Sequence, residues 1–108
     1  MAWKFKKNRK DALELWMNLT KVRRDLLRQR IMFIDQRGCG DAPGVEPHPH
    51  LDGRYVYREE RYFLVIECQE RLVLIWGIKA IRVEDRSLPL SQIATKFYQA
   101  KRRREARP

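Results

Sequence analysis

Two stretches near the ends of this sequence set cations at a density suited to a row of phosphates. In "WKFKKNRK" Trp3 and Phe5 alternate with Lys4, Lys6, Lys7, Arg9 and Lys10, and in "FYQAKRRREAR" Phe97 and Tyr98 precede Lys101, Arg102, Arg103, Arg104 and Arg107. Cations hold phosphates and aromatic rings stack on unpaired bases, so the two residue types together point to nucleic acid. A third cationic cluster, Arg23, Arg24, Arg28 and Arg30, has Asp25 as its nearby counter-charge. The bland alternative is that the rings belong to the core and the basic ends are ordinary solvated tails.

Charge distribution favours the sharper reading. The chain carries a net charge of +10, of which residues 1–37 hold +7, residues 38–95 hold −2 and residues 96–108 hold +5. A solubility device would be spread and mixed in sign, whereas two cationic segments flanking a near-neutral middle suit a polyanionic partner. RNA is expected ahead of DNA. "LPLSQIATKFYQ" has a faint look of the first helix of a helix-turn-helix, but an arginine run follows where the turn and recognition helix belong. The strand-like runs lack the paired aromatics of an RNA-recognition sheet, so the expected contacts are to phosphates rather than to base edges.

Other chemistries find little support in the residues. Cys39 with His48 and His50 is the one metal-like group, but a structural zinc site takes a close ligand pair on each side and here only the two histidines are close. No metal or cofactor is expected. For catalysis, Ser87 and Ser91 fall at a helix start, the two histidines share one loop, and Glu59/Glu60 and Glu84/Asp85 are sequence neighbours. Without a glycine-rich phosphate loop either, the chain reads as non-catalytic. Two cysteines this far apart do not make the disulfide framework of a small secreted protein, so free thiols and a reducing intracellular compartment (cytoplasm or organelle matrix) are expected.

The elements that must position these residues follow from periodicity. Ala12, Leu15, Leu19, Val22, Leu26 and Phe33 recur in steps of three and four, which predicts one helix from about Arg9 to Ile34, about 35–40 Å long. Its stripe suits the chain's own sheet, or a second copy through a coiled-coil seam. "RGCGDAPGVEPHPHLDG" (37–53) ends the helix, with Gly38 or Gly40 as a left-handed cap, and its three prolines predict a loop. Short β-branched and aromatic runs at 54–59, 61–69, 71–77 and 78–84 predict an antiparallel meander of three or four strands, bulged or bent at Gly77. The second and third runs are apolar on both alternating faces and belong at the centre. Pro89 suits the first turn of a last helix whose apolar face is Leu90, Ile93, Ala94, Phe97 and Tyr98, and whose basic end projects.

The chain of 108 residues thus reads as one α+β domain: a long N-terminal helix, a three- or four-stranded antiparallel β-meander, and a C-terminal helix with a basic extension. Residues 1–10 form a basic arm, 37–53 a loop and 99–108 a basic tail. No run approaches the roughly 18 uncharged apolar residues of a membrane span. The expected role is a small structural RNA-binding component of a ribonucleoprotein particle, among other proteins of that assembly. The alternatives are a DNA-binding accessory protein or regulator, dimeric through the helix seam, and a docking subunit of a large protein complex.

Overall fold

A computed structural model describes residues 2–5, 10–70 and 72–106. The strands are β1 (Ala2–Phe5), β2 (Glu46–Pro47), β3 (Tyr55–Glu59), β4 (Tyr62–Gln69) and β5 (Leu72–Ala80); the helices are α1 (Lys10–Met17), α2 (Lys21–Arg37) and α3 (Leu90–Ala106). The strands form one sheet in the order β1-β5-β4-β3-β2. The class is α+β, but the expected meander of three or four antiparallel strands behind one long helix is overturned: the sheet has five strands and mixed direction. β2, β3, β4 and β5 are consecutive antiparallel neighbours, and β1 joins β5 in parallel.

The additions come from segments whose local chemistry allows pairing. Trp3 and Phe5 alternate with Lys4, the period of a half-buried strand, and β1 pairs in parallel with β5 from Ala2 opposite Leu72 to Phe5 opposite Ile75. The expected free arm is therefore an edge strand over residues 2–5. Within the expected loop, β2 pairs with β3, placing Pro47 opposite Tyr55; an edge strand tolerates proline because one side of its backbone has no partner to serve.

The single long helix is also corrected. Asn18 to Thr20 separate α1 from α2, and Thr20 adopts extended backbone with its hydroxyl accepting the Arg23 N–H at 3.2 Å. Threonine and asparagine compete with the helix for backbone bonds and favour such caps. The break also turns α2 about its axis relative to the stripe read from sequence. Leu27, Ile31 and Ile34 are buried, while Val22 is 72% exposed and Leu26 and Phe33 are exposed as well. At its other end Gly38, at a φ of 84°, donates its N–H to the Ile34 carbonyl at 2.7 Å, the expected glycine cap.

Two clusters of buried residues fill the two faces of the sheet. On the first face Leu64, Ile66, Val73, Ile75 and Ile78 pack under α1 and α2, joined by Trp16, Leu27 and Ile31. On the second, Val56, Phe63 and Ile81 pack against Ile93 and Ala94 of α3. Cys68 and Cys39 meet on the first face, where their Cα atoms lie 5.8 Å apart and the sulfurs form a disulfide. The expectation of free thiols is overturned, because the cap at Gly38 returns the chain onto β4. With it goes the ground for reading a reducing compartment.

One irregularity shapes the second face. Val65 pairs with Gly77 but Ile66 pairs with Ile75, so Trp76 is an extra residue in β5. This bulge restarts the alternation. Ile78 reaches the first-face core, and Gly77 and Lys79 fall on the second face with Val65 and Phe63. The run expected as a fourth strand at 78–84 instead completes β5 to Ala80 and ends in a 3-10 turn at Val83–Asp85.

Candidate nucleic-acid interface

The sheet-facing stripe of α3 begins apolar and ends cationic. Pro89 accepts the Gln92 and Ile93 N–H groups through its carbonyl, starting the helix where the sequence placed it. Ile93, Ala94 and Phe97 then pack on the sheet, with the Phe97 ring stacked on Phe63 at a centroid distance of 5.2 Å. Three to four residues per turn further on, the same stripe continues as Lys101 and Arg104. All of Lys101, Arg102, Arg103 and Arg104 are exposed. Lys101 lies 4.0 Å from Glu105, and Arg102 sits 5.7 Å from the Tyr98 ring centre. Arg103 and Arg104 have no acidic partner among the described residues.

Between this helix and the uncovered half of the second face runs a groove of about 880 Å³. Its cations are Arg54, Lys79, Arg82, Lys96 and, from the end of α3, Lys101, Arg103 and Arg104; its acids are Asp11 and Asp85. Lys96 is held by Asp85 at 2.7 Å and Lys79 by Asp11 at 3.5 Å. Arg54 lies 3.7 Å over the Trp76 ring and 3.1 Å from Glu67, which also accepts the Trp76 Nε1–H at 3.1 Å. Arg82 lies 4.0 Å from Glu84, and the other groove cations, Lys101, Arg103 and Arg104, are at the α3 end, where they face solvent.

A histidine turn closes one end. The Nδ1 of His48 accepts the backbone N–H groups of His50 and Leu51 at 3.0 and 3.1 Å, so that nitrogen must be bare. Burial first, then His50 and Arg54, hold the His48 pKa below the ordinary imidazole value. The His50 ring stacks on Tyr98 at 4.6 Å with planes 10° apart. Its Nε2 lies 2.9 Å from the Thr95 hydroxyl, which spends its own proton on the Ser91 carbonyl at 3.0 Å, so His50 is the donor. The loop is thereby pinned to α3.

The cations singled out from sequence are divided between the layers. Lys4 is exposed and pairs with Leu74, between Trp3 and Phe5, which join the first-face cluster; it therefore lies on the same face of the sheet as α3. Lys10 is exposed at the start of α1. Arg23, Arg24, Arg28 and Arg30 lie on α2, over the first face, and three of them meet acids: Arg23 with Glu60 at 2.6 Å, Arg30 with Glu59 at 3.4 Å and Arg28 with Asp25 at 3.5 Å. Lys6, Lys7, Arg9 and Arg107 lie outside the described residues.

The aromatic partners are corrected too. Trp3 lies 5.1 Å and Phe5 5.8 Å from Trp16, and all three join the first-face cluster. Sequence reasoning passed over Arg54, Lys79 and Arg82, which lie in the near-neutral middle of the chain, and Lys96 just after it; the bulge expected at Gly77 was the one signal for that region. Among the described residues no three His, Cys, Asp or Glu side chains converge as metal ligands, and no helix is long and apolar enough to cross a membrane. No protein-family model matches the chain, and none of the curated proteins does.

Proposed function

We propose that the protein is a non-catalytic nucleic-acid-binding component of a larger assembly, RNA ahead of DNA, which takes phosphates along the cationic end of α3. The observation that carries this is the exposed run Lys101–Arg104, in which Arg103 and Arg104 lack acidic partners among the described residues and border a groove lined by seven cations and two acids. Surface cations already matched by carboxylates gain little from a phosphate, whereas unmatched ones release counterions when they meet it. Lys4, on the same face, extends the positive field toward the first strand.

The deciding experiment is RNA affinity across a salt series. If roughly five phosphates are neutralised on a single strand, affinity falls by about a hundredfold between 50 and 200 mM salt. Replacing Arg102, Arg103 and Arg104 together by alanine weakens binding for all sequences alike and flattens that slope, while the fold is kept because all three side chains are exposed. Unchanged affinity in this variant removes α3 from the interface.

A second reading, a docking subunit of a protein complex, is favoured by a separate feature. Leu13 and Met17 on α1, and Val22, Leu26 and Phe33 on α2, are apolar and exposed. Such residues mark protein contacts where they form a continuous patch.

A further inference from the structure

β5 carries a glycine where the fold has no need of one. Gly77 sits inside a strand paired along its length with β4, and glycine there weakens a strand through lost entropy and lost packing. Its backbone is not in the left-handed region, and neither is that of Trp76, so the bulge does not require it. A Cβ at Gly77 would meet nothing within 4 Å. Neither backbone conformation nor packing excludes a side chain, yet its absence leaves bare main chain in the lining of the groove, opposite half-buried Val65, in a lining that also includes the end of α3. Glycine in a strand without an internal reason marks close approach by something else, and bulges recur beside binding sites.

We infer that the groove receives an unpaired stretch of nucleic acid, a base lying flat against the bare strand at Gly77 while its phosphates meet Lys101, Arg103 and Arg104. This rests on the phosphate-binding role proposed above and names the strandedness of the ligand. A base is flat and apolar on its faces, which suits a floor of main chain and Val65 next to the Phe97 ring. The volume of about 880 Å³ falls within the range of small-ligand sites, about 300–1,000 Å³. In a duplex the base faces are stacked on one another and unavailable, so only an unpaired segment can use such a floor.

The test compares a labelled twelve-residue oligouridine with a twelve-base-pair RNA duplex by fluorescence anisotropy, using the full chain. Wild-type protein should bind the oligouridine more tightly. Gly77→Phe should weaken oligouridine about tenfold or more, leaving duplex affinity and the salt slope unchanged, because it fills the floor without touching a cation. Gly77→Val, which suits a strand better than glycine, should give a smaller loss in the same direction and decides the matter if the phenylalanine variant does not fold. Salt-dependent binding that neither variant alters, or a duplex bound as tightly as the single strand, overturns the groove assignment while the phosphate role stands. If wild-type protein binds neither probe at 50 mM salt, both fall together.

Discussion

His48 shows how one side chain can set a loop. Its Nδ1 holds two backbone N–H groups, the geometry that aspartate or asparagine supplies in a turn. A proton on that nitrogen removes both bonds. Because burial, His50 and Arg54 lower its pKa in the folded protein, the unfolded chain binds the proton first as pH falls. Stability from this group is thus complete above the ordinary value of 6.5 and is lost as pH drops from there through the folded value. Thermal melts between pH 7.5 and 5.5 should show Tm falling on the acid side. His48→Asn, whose side-chain oxygen can accept the same two N–H groups without titrating, should hold Tm at pH 7.5 and remove His48's share of the slope. An undiminished slope in that variant assigns it to other groups. None of this was legible in "HPH" taken alone, because an acceptor nitrogen in a turn and a metal ligand are the same residue type at the same spacing. Only the turn's own N–H groups distinguish them.

At the scale of elements, α1 and α2 show why periodicity located a helical region but misplaced its face. Steps of three and four persist across Asn18 to Thr20 because both helices are amphipathic, so the pattern by itself does not reveal the break. The signal was Thr20, whose hydroxyl caps α2, and the cost of missing it was a stripe through Val22, Leu26 and Phe33 instead of Leu27, Ile31 and Ile34. Urea melts separate the two assignments. Ile31→Ala should cost about 2–4 kcal/mol, since it empties a fully buried site, and Thr20→Ala about 1 kcal/mol, the usual cost of a lost cap. Val22→Ala should fall within about 0.5 kcal/mol of wild type, as exposed substitutions do. A large loss at Val22 with none at Ile31 would restore the uninterrupted stripe. The strands were more legible, because runs apolar on both alternating faces admit only a central position, and β4 and β5 are central. β1 was hidden by its own charge: Lys4 invites an arm, although a lysine facing away from the first-face core is compatible with a strand. The β3–β4 turn carried no glycine signal, since Glu60 takes the left-handed conformation itself at a φ of 52°.

Across the whole molecule, the sheet sorts the cations that composition merely counted. A net charge of +10 says that a polyanion is a fitting partner and says nothing of which side it meets. The layers decide that. α2 lies on the first face with three of its five arginines matched to acids, while the end of α3 and Lys4 lie with the second face, where the groove is. A ligand held by overall charge would lose equally from either layer; one seated along α3 would not. Arg24→Ala with Arg28→Ala removes two positive charges from the first layer, and Arg103→Ala with Arg104→Ala removes two from the second, so the two variants carry the same net charge. On single-stranded RNA the α3 pair should reduce the slope of log affinity against log salt by about 1.4, two contacts at about 0.7 each. The α2 pair should change that slope by much less and leave affinity near wild type at 50 mM salt. Equal losses from both pairs would mean that the field of the whole surface holds the ligand, and that the groove side has no privileged part in it.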